Sequence, residues 1–323
     1  MPTTEPAAPN GRPDARRGLR ITPARYRTIA AVALGLLITI VISGAAVRLT
    51  GSGLGCDDWP NCNDERLVDV SSGHAAIEQV NRLFTGLVAF AVIAAVLGSL
   101  WRRPRRRDLT WLSLGLVAGV LGQIVLGGIT VLVDLHPLAV QGHMLLSQVL
   151  VATAVVLLRR AGEPDGGVRR PVVDAVTTRL TWALAVVTGL AIVAGTVVTG
   201  AGPHAGDEDV QRFGVDIAAA ARVHGALVLA AIAVAVALGV RLQRHPADRR
   251  VLQGPVTSWI FVAALQGAIG YIQYFNDVPE LLVGLHVAGA TALWSMTVWL
   301  VLSTRAVTES GTVEAPAGQY VSA

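Results

Sequence analysis

Eight apolar runs, each long enough to cross a lipid bilayer, constrain the fold of this chain more than any other feature. A transmembrane helix needs about 20 mostly apolar residues and satisfies its own backbone hydrogen bonds. The runs predict helices at 27–48, 76–100, 110–132, 138–158, 180–199, 217–240, 255–275 and 279–303. With 53% hydrophobic and only 15% charged residues, the composition excludes an ordinary soluble domain. We therefore expect an all-α membrane protein.

The arginines between the runs predict how the chain is oriented. They are concentrated in segment 1–25 and in loops 102–108, 159–179 and 241–250, whereas the alternate loops are acidic. Basic loops remain on the cytoplasmic side of a membrane. We therefore expect both termini in the cytoplasm. For the same reason the net charge of +4 is a topology signal and does not indicate nucleic-acid binding.

An internal repeat divides the chain into two halves. A single offset of 143 residues pairs polar positions without a gap, whereas apolar helices align with almost anything by chance. The pairs are Asn81 with His224, Gln123 with Gln266, Gly127 with Gly270 and His143 with His286. Because each half has an even number of helices, both halves enter the membrane from the same side. This arrangement is typical of a parallel repeat about an axis along the membrane normal.

The repeat predicts two tandem four-helix bundles related by a parallel pseudo-two-fold axis. The expected segments are a disordered cytoplasmic tail at 1–25, an N-terminal four-helix half at 26–160, a cytoplasmic linker at 161–178, a C-terminal four-helix half at 179–304 and a second disordered cytoplasmic tail at 305–323. The N-terminal half is the expected substrate and catalytic side.

Three histidines lie at one depth inside the predicted helices: His143, His224 and His286. Ionisable residues within a membrane are rare and usually functional. One such histidine is explained by a hydrogen bond to a neighbouring carbonyl, but three at one depth favour a cofactor. Imidazoles without thiolate or carboxylate clusters suit haem iron better than structural zinc. If His224 and His286 face each other across a bundle, they can occupy both axial positions.

The first half differs from the second at one ligand position. His143 keeps its place, but the expected partner is Asn81, and asparagine is a poor iron ligand. This half is therefore predicted to hold a macrocycle with an open or weakly held axial position. His74 and Glu78 share a helical face with Asn81, and Arg82 adjoins them. Two interpretations of Glu78 stay open: an ion pair with Arg82 that braces the helix, and a proton-transfer or charge-stabilising group beside a reacting carbon.

The two cysteines of the chain, Cys56 and Cys62, lie in the first outer loop. An oxidising exterior permits a disulfide there. Two interpretations stay open: a local staple worth at most about 3 kcal/mol, and a redox-active pair.

At these residues the chain resembles the haem A synthase family, across nearly the whole transmembrane region. The specific segments are RLTGSGLGCDDWPNC at 48–62, HAAIEQVNRL at 74–83, QGH at 141–143, RVHG at 222–225 and GLHVAGA at 284–290. The family pattern usually has a glutamate followed three residues later by a histidine, whereas here Glu78 is followed by Asn81. We expect a haem held chiefly by His143, since His74 lies about 10 Å further along the helix.

The resemblance implies a function and its residues. Enzymes of this family oxidise a ring methyl of haem O to a formyl group by successive hydroxylations, for cytochrome c oxidase biogenesis in the bacterial plasma membrane. The implied site residues are His224 and His286 as ligands of haem b, Glu78 and His143 on the substrate side, and Cys56 paired with Cys62. The implied partners are haem O, a haem O-forming farnesyltransferase, cytochrome oxidase assembly proteins and an electron acceptor that the sequence does not identify.

Two other functions stay open. A b-type cytochrome subunit that only transfers electrons explains His224 and His286, but it does not explain Glu78 or Asn81. A haem transporter is compatible with a parallel repeat, although no predicted helix has an unwound centre. The oligomeric state is also left open, a homo-oligomer included.

Overall fold

The computed structural model describes residues 20–308, which form eight helices long and apolar enough to cross a membrane. They are α1 Pro23–Leu49, α2 Gly73–Trp101, α3 Arg107–Leu132, α4 Pro137–Ala161, α5 Ala175–Ala201, α6 Ile217–Arg244, α7 Pro246–Phe275 and α8 Glu280–Ser303, with two short strands, β1 Val168–Pro171 and β2 Arg305–Thr308. The predicted multi-pass helical membrane fold is confirmed. Of the predicted tails, residues 1–19 and 309–323 lie outside the described residues.

Several helices begin before the predicted apolar runs because their first turns are polar. Side-chain oxygens at the N-caps accept hydrogen bonds from backbone N–H groups that the helix leaves unpaired. The capping residues are Thr22 for α1, Ser72 for α2, Asp174 for α5 and Asp216 for α6. Hydropathy therefore located the lipid-facing part of each helix but not its polar start.

Each half forms a closed four-helix bundle. In the first half α1 packs against α2 and α4, and α3 packs against the same two helices. In the second half α5 packs against α6 and α8, and α7 packs against the same two helices. The bundles meet through α4 and α8, with α1 against α8 and α4 against α5. This arrangement is compatible with the predicted pseudo-two-fold axis.

A buried hydrogen bond joins two positions that the repeat makes equivalent. The Nε2 atom of Gln148 on α4 donates to Oγ1 of Thr291 on α8 at 3.2 Å, and the two residues are 143 positions apart. Residues related by a two-fold axis meet only close to that axis. The contact is therefore compatible with an axis that runs between α4 and α8.

The outer loops of the two halves also bond to each other. The N–H of Gly53 donates to the carbonyl of Gly206 at 3.0 Å. The guanidinium of Arg48, at the end of α1, donates to the carbonyls of Thr199 (3.1 Å) and His204 in the second half. The halves are thus joined on the outer side by main-chain and charge-assisted hydrogen bonds.

At the opposite end the structure corrects one prediction. Residues 305–308, predicted as the start of a disordered tail, form β2, which pairs antiparallel with β1 inside the predicted linker 161–178. Val168 lies opposite Thr308 in this pair. The sequence gave no signal for it because four-residue segments are too short to show the alternation typical of a strand.

Candidate functional site

The imidazoles of His224 and His286 lie side by side within the C-terminal bundle. Their ring centroids are 6.2 Å apart and their planes are inclined by 73°. Two metal–nitrogen bonds of about 2 Å, with about 1.1 Å from each nitrogen to its ring centre, place two axial imidazoles roughly 6 Å apart. The separation therefore fits two ligands that share one iron atom.

Helix α5 orients the ring of His224. Its Nδ1 lies 2.8 Å from the carbonyl oxygen of Ala191, so Nδ1 carries the proton and donates it to that oxygen. Nε2 then keeps the free lone pair that a metal requires, which is the usual arrangement for a metal-binding histidine. Gly195 permits this close approach, because a Cβ at that position would lie only 3.1 Å from Cε1 of His224.

His143 and His286 are held in the same way in their two halves. Each lies six residues after the first residue of its helix. A Cβ on Gly127 would lie 3.3 Å from Cε1 of His143, and a Cβ on Gly270 would lie 3.3 Å from Cε1 of His286. Within residues 20–308, the Nδ1 atoms of both histidines are buried without a hydrogen-bond partner. The two histidine positions thus have matched surroundings.

Asn81, the counterpart of His224, has a different neighbour on the first helix of its half. Its Nδ2 donates to Oγ of Ser43 at 3.0 Å. Ser43 and Gly195 each lie 20 residues after the first residue of a 27-residue helix, so they hold corresponding places in α1 and α5. A glycine therefore accommodates the histidine in one half, and a serine binds the asparagine in the other.

Both carboxylate oxygens of Glu78 are hydrogen-bonded, although the residue is only 6% exposed. Oε2 accepts from the N–H of Cys56 at 2.8 Å, and Oε1 accepts from Nη2 of Arg82 at 2.7 Å. The Arg82 guanidinium also donates to the carbonyls of Asn61 (2.9 Å) and Asp58 (3.1 Å). The ion pair of the first interpretation is therefore present, and it also holds the outer loop against α2.

The outer loop 50–72 covers the end of the first bundle. The disulfide between Cys56 and Cys62 is present, and both cysteines are buried. The indole of Trp59 lies flat against α3 at Gly128, where a Cβ would be 2.6 Å from the indole atom Cδ2. The loop is thus held by the disulfide, by the Glu78–Arg82 pair and by indole packing.

The comparison with protein families decides the assignment. Residues 27–206, more than half of the chain, match the COX15-CtaA family model, described as cytochrome oxidase assembly protein. The chain belongs to this family.

Curated relatives of this cytochrome oxidase assembly protein carry two names. The haem A synthase of Rhizorhabdus wittichii is 26% identical, over 91% of this chain and 95% of the relative. The haem A synthase of Exiguobacterium sibiricum is 27% identical, over 50% of this chain but 55% of the relative. The protohaem IX farnesyltransferase of Chloroflexus aurantiacus is 34% identical, over 27% of this chain and 14% of the relative. The last two matches span about half or less of those relatives.

His74 lies apart from the other polar residues of its helix face in this assembly protein. It is exposed in the first turn of α2, and its Nδ1 is 3.0 Å from Oγ of Ser52, which is buried in the outer loop. His74 therefore contacts the outer loop, whereas Asn81, two turns deeper, contacts α1.

Two residues of the site escaped the sequence analysis, Ser43 and Gly195. Loop 50–72 is eight residues longer than loop 202–216, which moves α1 out of the 143-residue offset that aligns the other helices. An alignment that allowed a gap in the outer loop would have paired Ser43 with Gly195.

The disulfide should contribute modestly to stability. Its cysteines are six positions apart, and a loop this short yields about 2 kcal/mol of stabilisation. We expect Cys62→Ser to lower the midpoint of thermal unfolding in detergent and to make that midpoint insensitive to a thiol reductant. The wild-type midpoint should fall to the same value in reductant. An unchanged wild-type midpoint on full reduction would contradict a stabilising role.

Proposed function

We propose that this chain is a haem A synthase, which oxidises a ring methyl group of haem O to a formyl group for the assembly of cytochrome oxidase. The observation that carries the proposal is the asymmetry between the halves. One half sets two imidazoles 6.2 Å apart, and the other keeps His143 but replaces its partner with a hydrogen-bonded Asn81–Ser43 pair. One half is thus suited to a resident redox group, and its counterpart to a substrate with an open axial position.

In the C-terminal half, His224 and His286 are the proposed ligands of haem b. When bound there, haem b supplies a one-electron redox centre that passes electrons from the substrate side to an acceptor. The hydrogen bond from His224 Nδ1 to Ala191 fixes the tautomer and the ring orientation, so that Nε2 is the ligating atom. Glycine at positions 195 and 270 leaves room for both rings.

In the N-terminal half, His143 is the proposed ligand of the haem O iron. Gly127 gives its ring the same close packing that Gly270 gives His286. The contact of His74 with Ser52 in the outer loop favours His143 as the ligand. Asn81 remains beside the site as an uncharged group, and its amide is oriented by Ser43.

Glu78 is the proposed acid–base group. Conversion of a methyl to a formyl group releases protons and builds positive charge at the reacting carbon, and a fixed carboxylate nearby can accept the former and stabilise the latter. Arg82 and the Cys56 N–H hold the Glu78 carboxylate in one orientation. The ion-pair and catalytic interpretations of Glu78 are therefore compatible, because the pair that positions the loop also positions the carboxylate.

The substitution Glu78→Gln tests this role, because glutamine keeps the shape but removes the charge. We expect haem A formation to fall at least about 100-fold, the lower range for loss of a general acid–base group, while haem b is retained. Pyridine haemochrome spectra and mass analysis of extracted haem measure both, with haem O supplied by a co-expressed farnesyltransferase.

The matched control is Glu280→Gln, which removes an exposed carboxylate at the start of α8. Wild-type haem A yield in Glu78→Gln would remove Glu78 from the mechanism. The same extraction from the wild type tests the function itself. Haem b alone, with haem O available, would instead support a b-type cytochrome that only transfers electrons.

The proposed setting is the bacterial plasma membrane, with both termini in the cytoplasm. The support is the distribution of charge, since the arginine-rich loops all lie at one end of the helices and the acidic outer loops at the other. The proposed partners are haem O, the farnesyltransferase that makes it, other cytochrome oxidase assembly proteins and an electron acceptor.

A further inference from the structure

A cavity of about 230 Å³ lies at the arginine-rich end of the molecule, far from the histidines. It is lined by Arg27 of α1, the end of α4 with Arg159, Trp299 of α8 and residues 306–307 of β2. Sixteen residues separate Arg159 from His143 along α4, or about 24 Å. The cavity has the volume of roughly seven or eight water molecules at about 30 Å³ each. It belongs to neither proposed haem site and borders both halves.

The two arginines of this cavity lack a carboxylate partner. None of the ion pairs formed within the described part of the chain includes Arg27 or Arg159. The nearby acids bind other arginines: Glu163 binds Arg169, Asp108 binds Arg106, and Asp165 binds Arg102. Glu163 also lines the cavity, but its hydrogen bonds to Arg169 use its charge and raise the pKa of that arginine. The cavity thus keeps an uncompensated positive charge.

Both guanidinium groups are held at the cavity by packing. The guanidinium carbon of Arg159 lies 5.2 Å from the centre of the Trp299 ring, within the range of a cation–π interaction. Its Nε is buried and has no hydrogen-bond partner among residues 20–308. Arg27 lies against Gly162, where a Cβ would be 3.2 Å from Nε of Arg27. Two oriented donor groups therefore border one cavity without acceptors.

We propose that this cavity binds the phosphate of an anionic lipid headgroup, with Arg27 and Arg159 as its ligands. Guanidinium groups bind phosphate oxygens through paired, charge-assisted hydrogen bonds. Basic pockets between transmembrane helices on the cytoplasmic side bind anionic headgroups, and tryptophan is enriched at that depth. The bound lipid contacts α1 and α4 of one half and α8 of the other. Inorganic phosphate offers the same oxygens, so the two sources must be separated by experiment.

Native mass spectrometry of the haem-loaded protein, titrated with short-chain phosphatidylglycerol, tests the proposal. Phosphatidylcholine of the same chain length is the neutral comparison. Each basic residue near an anionic lipid is worth about fivefold in affinity, so Arg27→Gln combined with Arg159→Gln should weaken phosphatidylglycerol binding roughly 25-fold. The matched control, Arg105→Gln with Arg107→Gln, removes the same charge from two exposed residues of the same end and should bind as the wild type does.

Three results would overturn the proposal. Equal weakening in both double variants would show a general charge effect without a site. Binding of phosphatidylcholine as tight as that of phosphatidylglycerol would exclude recognition of the anionic headgroup. Displacement of the lipid by equimolar inorganic phosphate would assign the cavity to a soluble anion. If loss of the Arg159–Trp299 contact perturbs folding, the exposed Arg27→Gln change alone still decides: about fivefold weaker binding supports the site, and unchanged affinity overturns it.

Discussion

Replacing His224 by alanine is expected to abolish haem b binding in the C-terminal half. The two imidazoles are 6.2 Å apart and fit a single iron atom, so loss of either one removes half of the axial ligation. Alanine also ends the hydrogen bond to Ala191 that orients the remaining lone pair. The haem b content per purified protein and the reduced-minus-oxidised optical spectrum measure the loss.

His286→Ala should have the same effect, and the double variant should be no worse than either single one, because residues that serve one site are not additive. His245→Ala is the matched control, since His245 lies between α6 and α7 at the arginine-rich end and its side chain is 43% exposed. A full complement of low-spin haem b in both single variants would contradict the proposed ligand pair.

The second large effect is expected from Asn81→His combined with Ser43→Gly. Together these changes give α1 and α2 the pair that α5 and α6 have, a histidine facing a glycine. We expect the haem of the first half to change from an open axial position to two imidazole ligands. Electron paramagnetic resonance should then show a second low-spin signal.

An added ligand such as azide separates the variants. It should shift the spectrum of the wild-type first half and leave the double variant unchanged. Ser43→Gly alone is the matched control and should keep the azide response. Asn81→His alone should give incomplete conversion, because the Ser43 side chain occupies the space that Gly195 leaves free beside His224. If wild type and double variant respond alike to azide, the first half has no open axial position.

Much of the fold was predictable because lipid imposes a simple rule on long apolar runs. The eight helices followed from hydropathy, and the matched packing of His143 and His286 agrees with their shared offset of 143 residues. Ser43 was not predictable from that offset, because the outer loop before α2 is longer than the loop before α6 and shifts α1 relative to the rest.

The contacts of Glu78 could be predicted only in part. Its spacing from Arg82 predicts an ion pair along one helix face, and that pair is present. The bond from the Cys56 N–H depends on how loop 50–72 folds back onto α2. Such a main-chain contact leaves no periodic pattern in the sequence. The β1–β2 pair, which joins segments 134 or more residues apart, was missed for the same reason.

The bonds that join the two halves at both ends of the helices have a mechanical consequence. Gly53 and Arg48 join the outer loops, and β1 pairs with β2 at the opposite end. A carrier that exposes its cargo alternately to each side rocks one repeat against the other and must part such bonds in every cycle. With both ends closed, the distance between the two metal-binding regions stays constant. A constant gap suits electron tunnelling and opposes the haem-carrier alternative.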